Sequence, residues 1–311
     1  MPLLRNVLVI GIICFSAQAL GGPLFTGPLL ARSGHTIPAG HYDFEPYFFY
    51  TENTGLYTRH WHHVHSASST NIQVNPLYTY GLNDWMDVQF LPPYTINQVN
   101  KPSVYHRFSD VSVLMGFQLL EQHDYWPDFR LSISETLPTG KYENINALKN
   151  NITGLGSYQT TFGFNFQYLY HFFGDQYLRT RLVMDYNYAS NVKLNGRNTY
   201  GGYPGTTGTI HIGSMVSADL AFEYTWTRHW AAVMEGYISH RQATRFNGRI
   251  ANPINMPAII GHLSVTEISI APAMEYNWNE HIGIIIGQWL TITGKDTVDF
   301  TSTVVALNIF W

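Results

Sequence analysis

The residues with the most chemical potential in this chain are Arg130, Arg179, Arg181, Asp185, Asp219, Glu223, Glu235, Arg241, Glu267 and Glu275. Each falls on the polar parity of a stretch that alternates polar and apolar residues, as do Asp43, Glu45 and Asp87. Carboxylates and guanidiniums on one shared face can pair with each other, bind a polar solute, or line a passage. A second group is histidine: His60, His62, His63 and His65. Imidazole suits zinc, copper and nickel, so these are candidate metal ligands. Spacing of i, i+2 requires a strand or turn to converge the rings, and the plainer reading is a solvated loop. Two Ser–His pairs, Ser239-His240 and Ser33-Gly34-His35, are the nearest approach to a hydrolase. Neither sits in a nucleophile motif, and adjacent strand residues point to opposite faces. No catalytic residue is therefore assigned, and no cofactor is expected.

These side chains need strands to position them. From Ser157 to Ser190 one parity carries Tyr158, Phe162, Phe164, Phe166, Tyr168 and Tyr170, and the other carries Gln159, Gly163, Asn165 and Gln167. After a turn at Gly174-Asp175, Leu178, Leu182, Met184 and Tyr186 alternate with Arg179, Arg181 and Asp185. Period two means strand, and two such runs across a short turn mean a hairpin. The runs are long for a soluble sheet. A strand of about nine to eleven residues, apolar on one face and polar on the other, is the unit of an outer-membrane barrel.

The rest of the chain repeats this hairpin. Strands are expected at His41–Tyr50, Asn71–Tyr80, Met86–Phe90, near Val111–Leu119 and Phe129–Ile133, and then at Ile212–Tyr224, Trp230–His240, Leu263–Trp278, Ile282–Thr293 and Val298–Trp311. Pro92-Pro93 predicts a bulge or an early strand end. Thr51–Ser69, Asn97–Phe108, Pro138–Gly156, Asn191–Thr209 and Ala243–Gly261 read as long loops. Gly81–Trp85, Gly174–Gln176, Trp226–His229 and Trp278–His281 read as tight turns. The fold class is thus all-β, a transmembrane antiparallel up-and-down barrel of about twelve strands, with short periplasmic turns and long outer loops. Trp85, Trp126, Trp226, Trp230, Trp278 and Trp311 cluster at the short-turn ends, as an inner aromatic girdle would. On this reading Phe164 faces lipid, while Asn165 faces a wet or polar lumen and tolerates a charge.

Bulk composition agrees. Among 311 residues only 12% are charged while 15% are aromatic, against roughly 25% charged for an average soluble domain. A net charge of -4 gives no case for nucleic-acid binding. Residues 1–19 read as a signal peptide, with Arg5, an apolar Leu8–Phe15 and the cleavage site Ala17-Gln18-Ala19. Cys14, the one cysteine, falls inside it; bulky Ile12 and Ile13 speak against a lipoprotein acceptor. Residues 20–40 read as an irregular lead-in and 41–311 as the barrel.

Leu137-Pro138-Thr139-Gly140, Gly154-Leu155-Gly156-Ser157-Tyr158-Gln159 and Tyr80-Gly81-Leu82-Asn83-Asp84 resemble the family of outer-membrane proteins of the meta-pathway of phenol degradation. These motifs mark turns and strand starts across most of the mature chain. The resemblance implies an outer-membrane barrel that passes small, often aromatic, compounds, and it brings no catalytic residue. The expected function is a channel or transporter for small molecules in the outer membrane of a Gram-negative bacterium. A structural or adhesive surface barrel and a lipid-acting hydrolase stand as alternatives. Expected partners are outer-membrane lipid and lipopolysaccharide, the barrel-assembly machinery and a small-molecule solute. Twelve strands lie between a filled barrel and an open pore, so a braced lumen with a narrow passage is expected.

Overall fold

The computed structural model describes residues 23–98, 104–146, 151–251 and 260–311, with Ala67 described by its backbone alone. The signal-peptide reading of 1–19, and Cys14 with it, lie outside these residues. The described strands are β1 Tyr42–Tyr57, β2 His63–Asn83, β3 Met86–Leu91, β4 Tyr94–Gln98, β5 Val104–Phe108, β6 Val111–Leu120, β7 Asp128–Leu137, β8 Gln159–Phe173 and β9 Gln176–Ala189. They continue with β10 Val192–Asn195, β11 Thr207–His211, β12 Met215–Thr225, β13 Trp230–Arg241, β14 Arg245–Arg249, β15 Val265–Asn277, β16 Ile282–Lys295 and β17 Thr297–Phe310.

Each long strand pairs antiparallel with its neighbours, and β1 pairs with both β2 and β17, so the sheet closes on itself. β3 and β4 form one line along β2, with Phe90 opposite Tyr78 and Tyr94 opposite Val74. The break between them is Pro92-Pro93, where two ladder donors are missing. β5 and β6 make the matching line, β6 against β3 and β5 against β4. Counted this way the wall has twelve antiparallel strands.

The two faces invert the order of a water-soluble domain. Phe162, Phe164, Leu220, Phe222, Met234, Ile238 and Ile286 are exposed outward, while Asn165, Asp219, Glu223 and Glu235 are buried inward. A closed sheet leaves no backbone edge unpaired, which is the condition for standing in lipid. The six tryptophans named above are all exposed. Several stack at the short-turn end, such as Trp226 on Trp230 at 6.3 Å and Tyr42 on Trp311 at 5.7 Å. Among the described residues no helix is long and apolar enough to cross a membrane.

The outer connections differ from the expectation. Most of Thr51–Ser69 is ladder: β1 and β2 stay paired up to Tyr57 and His63. Asn97–Phe108 includes the end of β4 and all of β5. Above the lipid the outward face needs no apolar residues, so the pairing persists where the alternation stops. In Asn191–Thr209 and Ala243–Gly261, strands β10, β11 and β14 form a separate three-stranded sheet. It has its own apolar cluster of Val192, Leu194, Tyr200 and Ile210, with Tyr142 and Phe246 against it. The loop from β7 to β8 is tied down by Asp110, whose carboxylate accepts from Gly140 N and Leu155 N at 2.8 Å each. Burial pushes the Asp110 carboxyl up, against the pull of these two amides.

Candidate functional site

The site begins with a segment whose place the sequence did not reveal. Residues 24–40 run around the inner wall. The Leu24 carbonyl accepts from Asn277 Nδ2 at 3.2 Å, and Thr26 N donates to Glu275 Oε2 at 2.9 Å, both on β15. Glu235 of β13 then takes three successive amides: Leu29 N at 2.6 Å, Leu30 N at 3.0 Å and Ala31 N at 2.9 Å. Arg181 of β9 donates to the Ala31 carbonyl at 2.9 Å. Arg32 pairs with Asp185 and donates from Nε to Asn165 Oδ1 at 3.3 Å. Gln118 of β6 receives Thr36 N at 2.8 Å and donates to the Gly34 carbonyl at 3.2 Å. Gly40 N finally donates to the Gly81 carbonyl of β2 at 2.8 Å, and the chain enters β1.

The segment lies flat against the wall. A Cβ added to Gly34 would stand 2.6 Å from Gln167 Cβ and 2.7 Å from its backbone nitrogen. Every bond named here goes from segment backbone to wall side chain or the reverse, apart from Arg32 and the Gly40 contact. An irregular segment has no ladder, so its amides must find such acceptors.

The sequence-predicted charges are gathered by the same wall. Arg179 donates from Nε and Nη2 to both oxygens of Glu223, 2.5 Å each, and its guanidinium covers the Phe25 ring at 4.2 Å. Arg181 Nε lies 3.7 Å from Glu223, and Glu275 stands beside that carboxylate. Arg130 is buried and reaches Asp87 across β6. It can do so because position 116 is glycine, where any Cβ would overlap the guanidinium. Glu267 accepts from Ser269 Oγ at 3.0 Å, and Arg241 donates to the Gly213 carbonyl at 3.3 Å, both away from the segment.

A cavity of about 570 Å³ lies alongside the segment. Its lining includes Leu30 and Ala31 of the segment, Tyr47 and Phe49 of β1, Asp219 of β12 and Trp289 of β16.

Of the wet or polar surroundings expected for Asn165, the structure shows polar ones, closely packed. Asn165 is fully buried, donates to the Arg130 carbonyl at 2.9 Å and to Ser132 Oγ at 3.0 Å, and accepts from Arg32. The four histidines sit at the top of the β1–β2 hairpin. His63 bonds Asp299 at 2.9 Å and meets the His65 ring edge-on at 4.7 Å. Among the described residues no three His, Cys, Asp or Glu side chains converge as a metal site. Ser239 and His240 diverge: Ser239 stands opposite Glu267 on the polar parity, and His240 bonds Thr266. Ser33 Oγ accepts from the backbone of His35, whose ring turns to Asp128 at 3.4 Å.

No family model and no curated protein sequence matches the chain. The crystal structure of an outer membrane channel from Pseudomonas putida F1 does match in three dimensions. The TM-score is 0.66 at 13% identity, over 89% of this chain and 97% of that one. At that identity the likeness shows the fold: this is the same kind of barrel. Two looser likenesses carry no argument. The translocator domain of the autotransporter NalP from Neisseria meningitidis gives 0.43 at 8% identity, covering 88% of this chain and 89% of that one. The CymD monoaromatic hydrocarbon channel gives 0.40 at 8% identity, covering 88% of each.

Proposed function

We propose that the chain is an outer-membrane channel for small molecules, inserted by the barrel-assembly machinery after removal of residues 1–19. The observation that carries this is the closed twelve-stranded wall around a cavity of about 570 Å³ lined in part by an irregular segment. Twelve strands stand between the barrels that wall side chains fill and those that leave an open pore. Here part of the interior is taken by a separate piece of chain, held to the wall by hydrogen bonds and ion pairs. The likeness of fold to the Pseudomonas putida F1 channel and the resemblance of the turn motifs to the phenol meta-pathway family support the same reading. The solute is small, with an apolar or aromatic part to match Tyr47, Phe49 and Trp289.

Liposome swelling with solutes of graded size tests this. Small sugars and arylalkyl compounds should enter with a sharp size cut-off, and removal of residues 24–40 should raise that cut-off. A folded barrel that passes nothing, with or without the segment, would establish the structural reading instead.

A further inference from the structure

We infer that the chamber beside the segment is a binding site for a small organic cation, an amine carried on an apolar or aromatic body. The inference rests on the channel reading only in that solutes must reach the lumen; it adds their class. Five carboxylates line the chamber: Asp43, Glu45, Asp87, Asp185 and Asp219. Two of them are matched, Asp87 by Arg130 and Asp185 by Arg32. Asp43 and Glu45 share a neutral donor, the Asn308 amide, at 2.9 and 3.4 Å. Asp219 is 5% exposed, and among the described residues its Oδ1 has no hydrogen-bond partner.

The cations on the lining are already engaged. Arg32 is taken by Asp185 and Asn165. Arg181 is taken by the Ala31 carbonyl and stands beside Glu223. The chamber therefore holds three carboxyl groups that no cation of the described residues reaches within ion-pair distance, Arg32 acting on Asp219 and Arg181 on Glu45 only from further off. Of the three, Asp219 is buried with an oxygen that has no donor, which is unfavourable for a carboxylate, while Asp43 and Glu45 are half-buried and have only neutral donors, the Asn308 amide and the Tyr47 hydroxyl. An ammonium supplies both the opposite charge and N–H donors. The rest of the wall suits the body of such a ligand: Tyr47, Phe49, Leu77, Tyr237 and Trp289 are apolar or aromatic. Aromatic faces also attract a cation. The volume of about 570 Å³ is that of an ordinary ligand pocket. A carboxylate solute would meet unmatched negative charge, and a hydrocarbon would leave Asp219 as orphaned as before.

Three probes with one aryl-ethyl body separate these cases: phenethylammonium, 2-phenylethanol and phenylacetate. Binding to the full barrel is read by calorimetry in micelles, and flux by liposome assay. Phenethylammonium should bind about tenfold or more tighter than either other probe, as a hydrogen bond between charged groups implies. Asp219→Asn and Glu45→Gln should each narrow that preference, with heat-modifiable gel mobility showing that the variants fold. Equal binding of the three by the unmodified barrel would overturn the cation site while leaving the channel intact. So would an unchanged preference in both variants. Selective amine binding without flux of any probe would support the site and overturn the channel.

Discussion

Glu223 shows how much of this protein depends on individual side chains. It is fully buried, and Arg179 covers both of its oxygens. Removing one partner of a buried pair costs on the order of 3–5 kcal/mol, because the other charge is left stranded. Arg179→Ala should fall at the lower end, since Arg181 stays 3.7 Å away. Glu223→Gln combined with Arg179→Gln should recover much of the loss. Denaturant midpoints in micelles decide this, and a double variant worse than Arg179→Ala would contradict it. The faces of β8 give a second measurement. Phe164 is exposed outward, so Phe164→Arg should cost about 2–4 kcal/mol in bilayers. Asn165→Arg should also be costly, because its amide fills a buried junction between Arg130, Ser132 and Arg32. Alternation told which way Asn165 points; it carried no information on what meets it there.

The segment 24–40 depends on Glu235 more than on any other wall residue. Glu235→Ala leaves the Leu29, Leu30 and Ala31 amides without their acceptor, at about 1–3 kcal/mol for each orphaned donor. The segment should loosen, liposome flux should rise, and a cysteine placed at Leu30 should become reactive to thiol reagents. Unchanged flux and reactivity would mean the segment is held elsewhere. Strands β8, β9, β12 and β13 were legible because lipid outside and polar groups inside impose a strict period of two. The segment was not, since irregular backbone has no period. One trace was present: Phe25, Leu29 and Leu30 are apolar for a solvated lead-in, and Arg32 is a lone cation among them. The outer strands were hidden for a related reason, because water on both sides removes the contrast that makes a strand visible.

Short turns at one end of the wall and long connections at the other predict the orientation of the molecule. Asn195 ends β10 in the outer sheet, and Asp175 sits in the turn between β8 and β9. With Cys14 the one native cysteine, single cysteines at these positions are clean labels. An impermeant maleimide should label Asn195→Cys on whole cells and leave Asp175→Cys unlabelled; the opposite pattern would turn the barrel over.

Where β1 meets β17, Thr51 Oγ1 faces Ser302 Oγ at 2.8 Å. Paired residues of antiparallel strands lie at the separation a disulfide needs. Cysteines at both positions would turn a linear chain into a covalent ring that encloses the whole wall. Loop-closure entropy for a ring of that size is worth about 5 kcal/mol against unfolding. The oxidised Thr51→Cys, Ser302→Cys protein should denature at a higher urea concentration than its reduced form. After boiling it should still migrate faster, as a circle rather than a thread. No gain on oxidation would mean that the bond strains the native seam by as much as it restricts the unfolded chain.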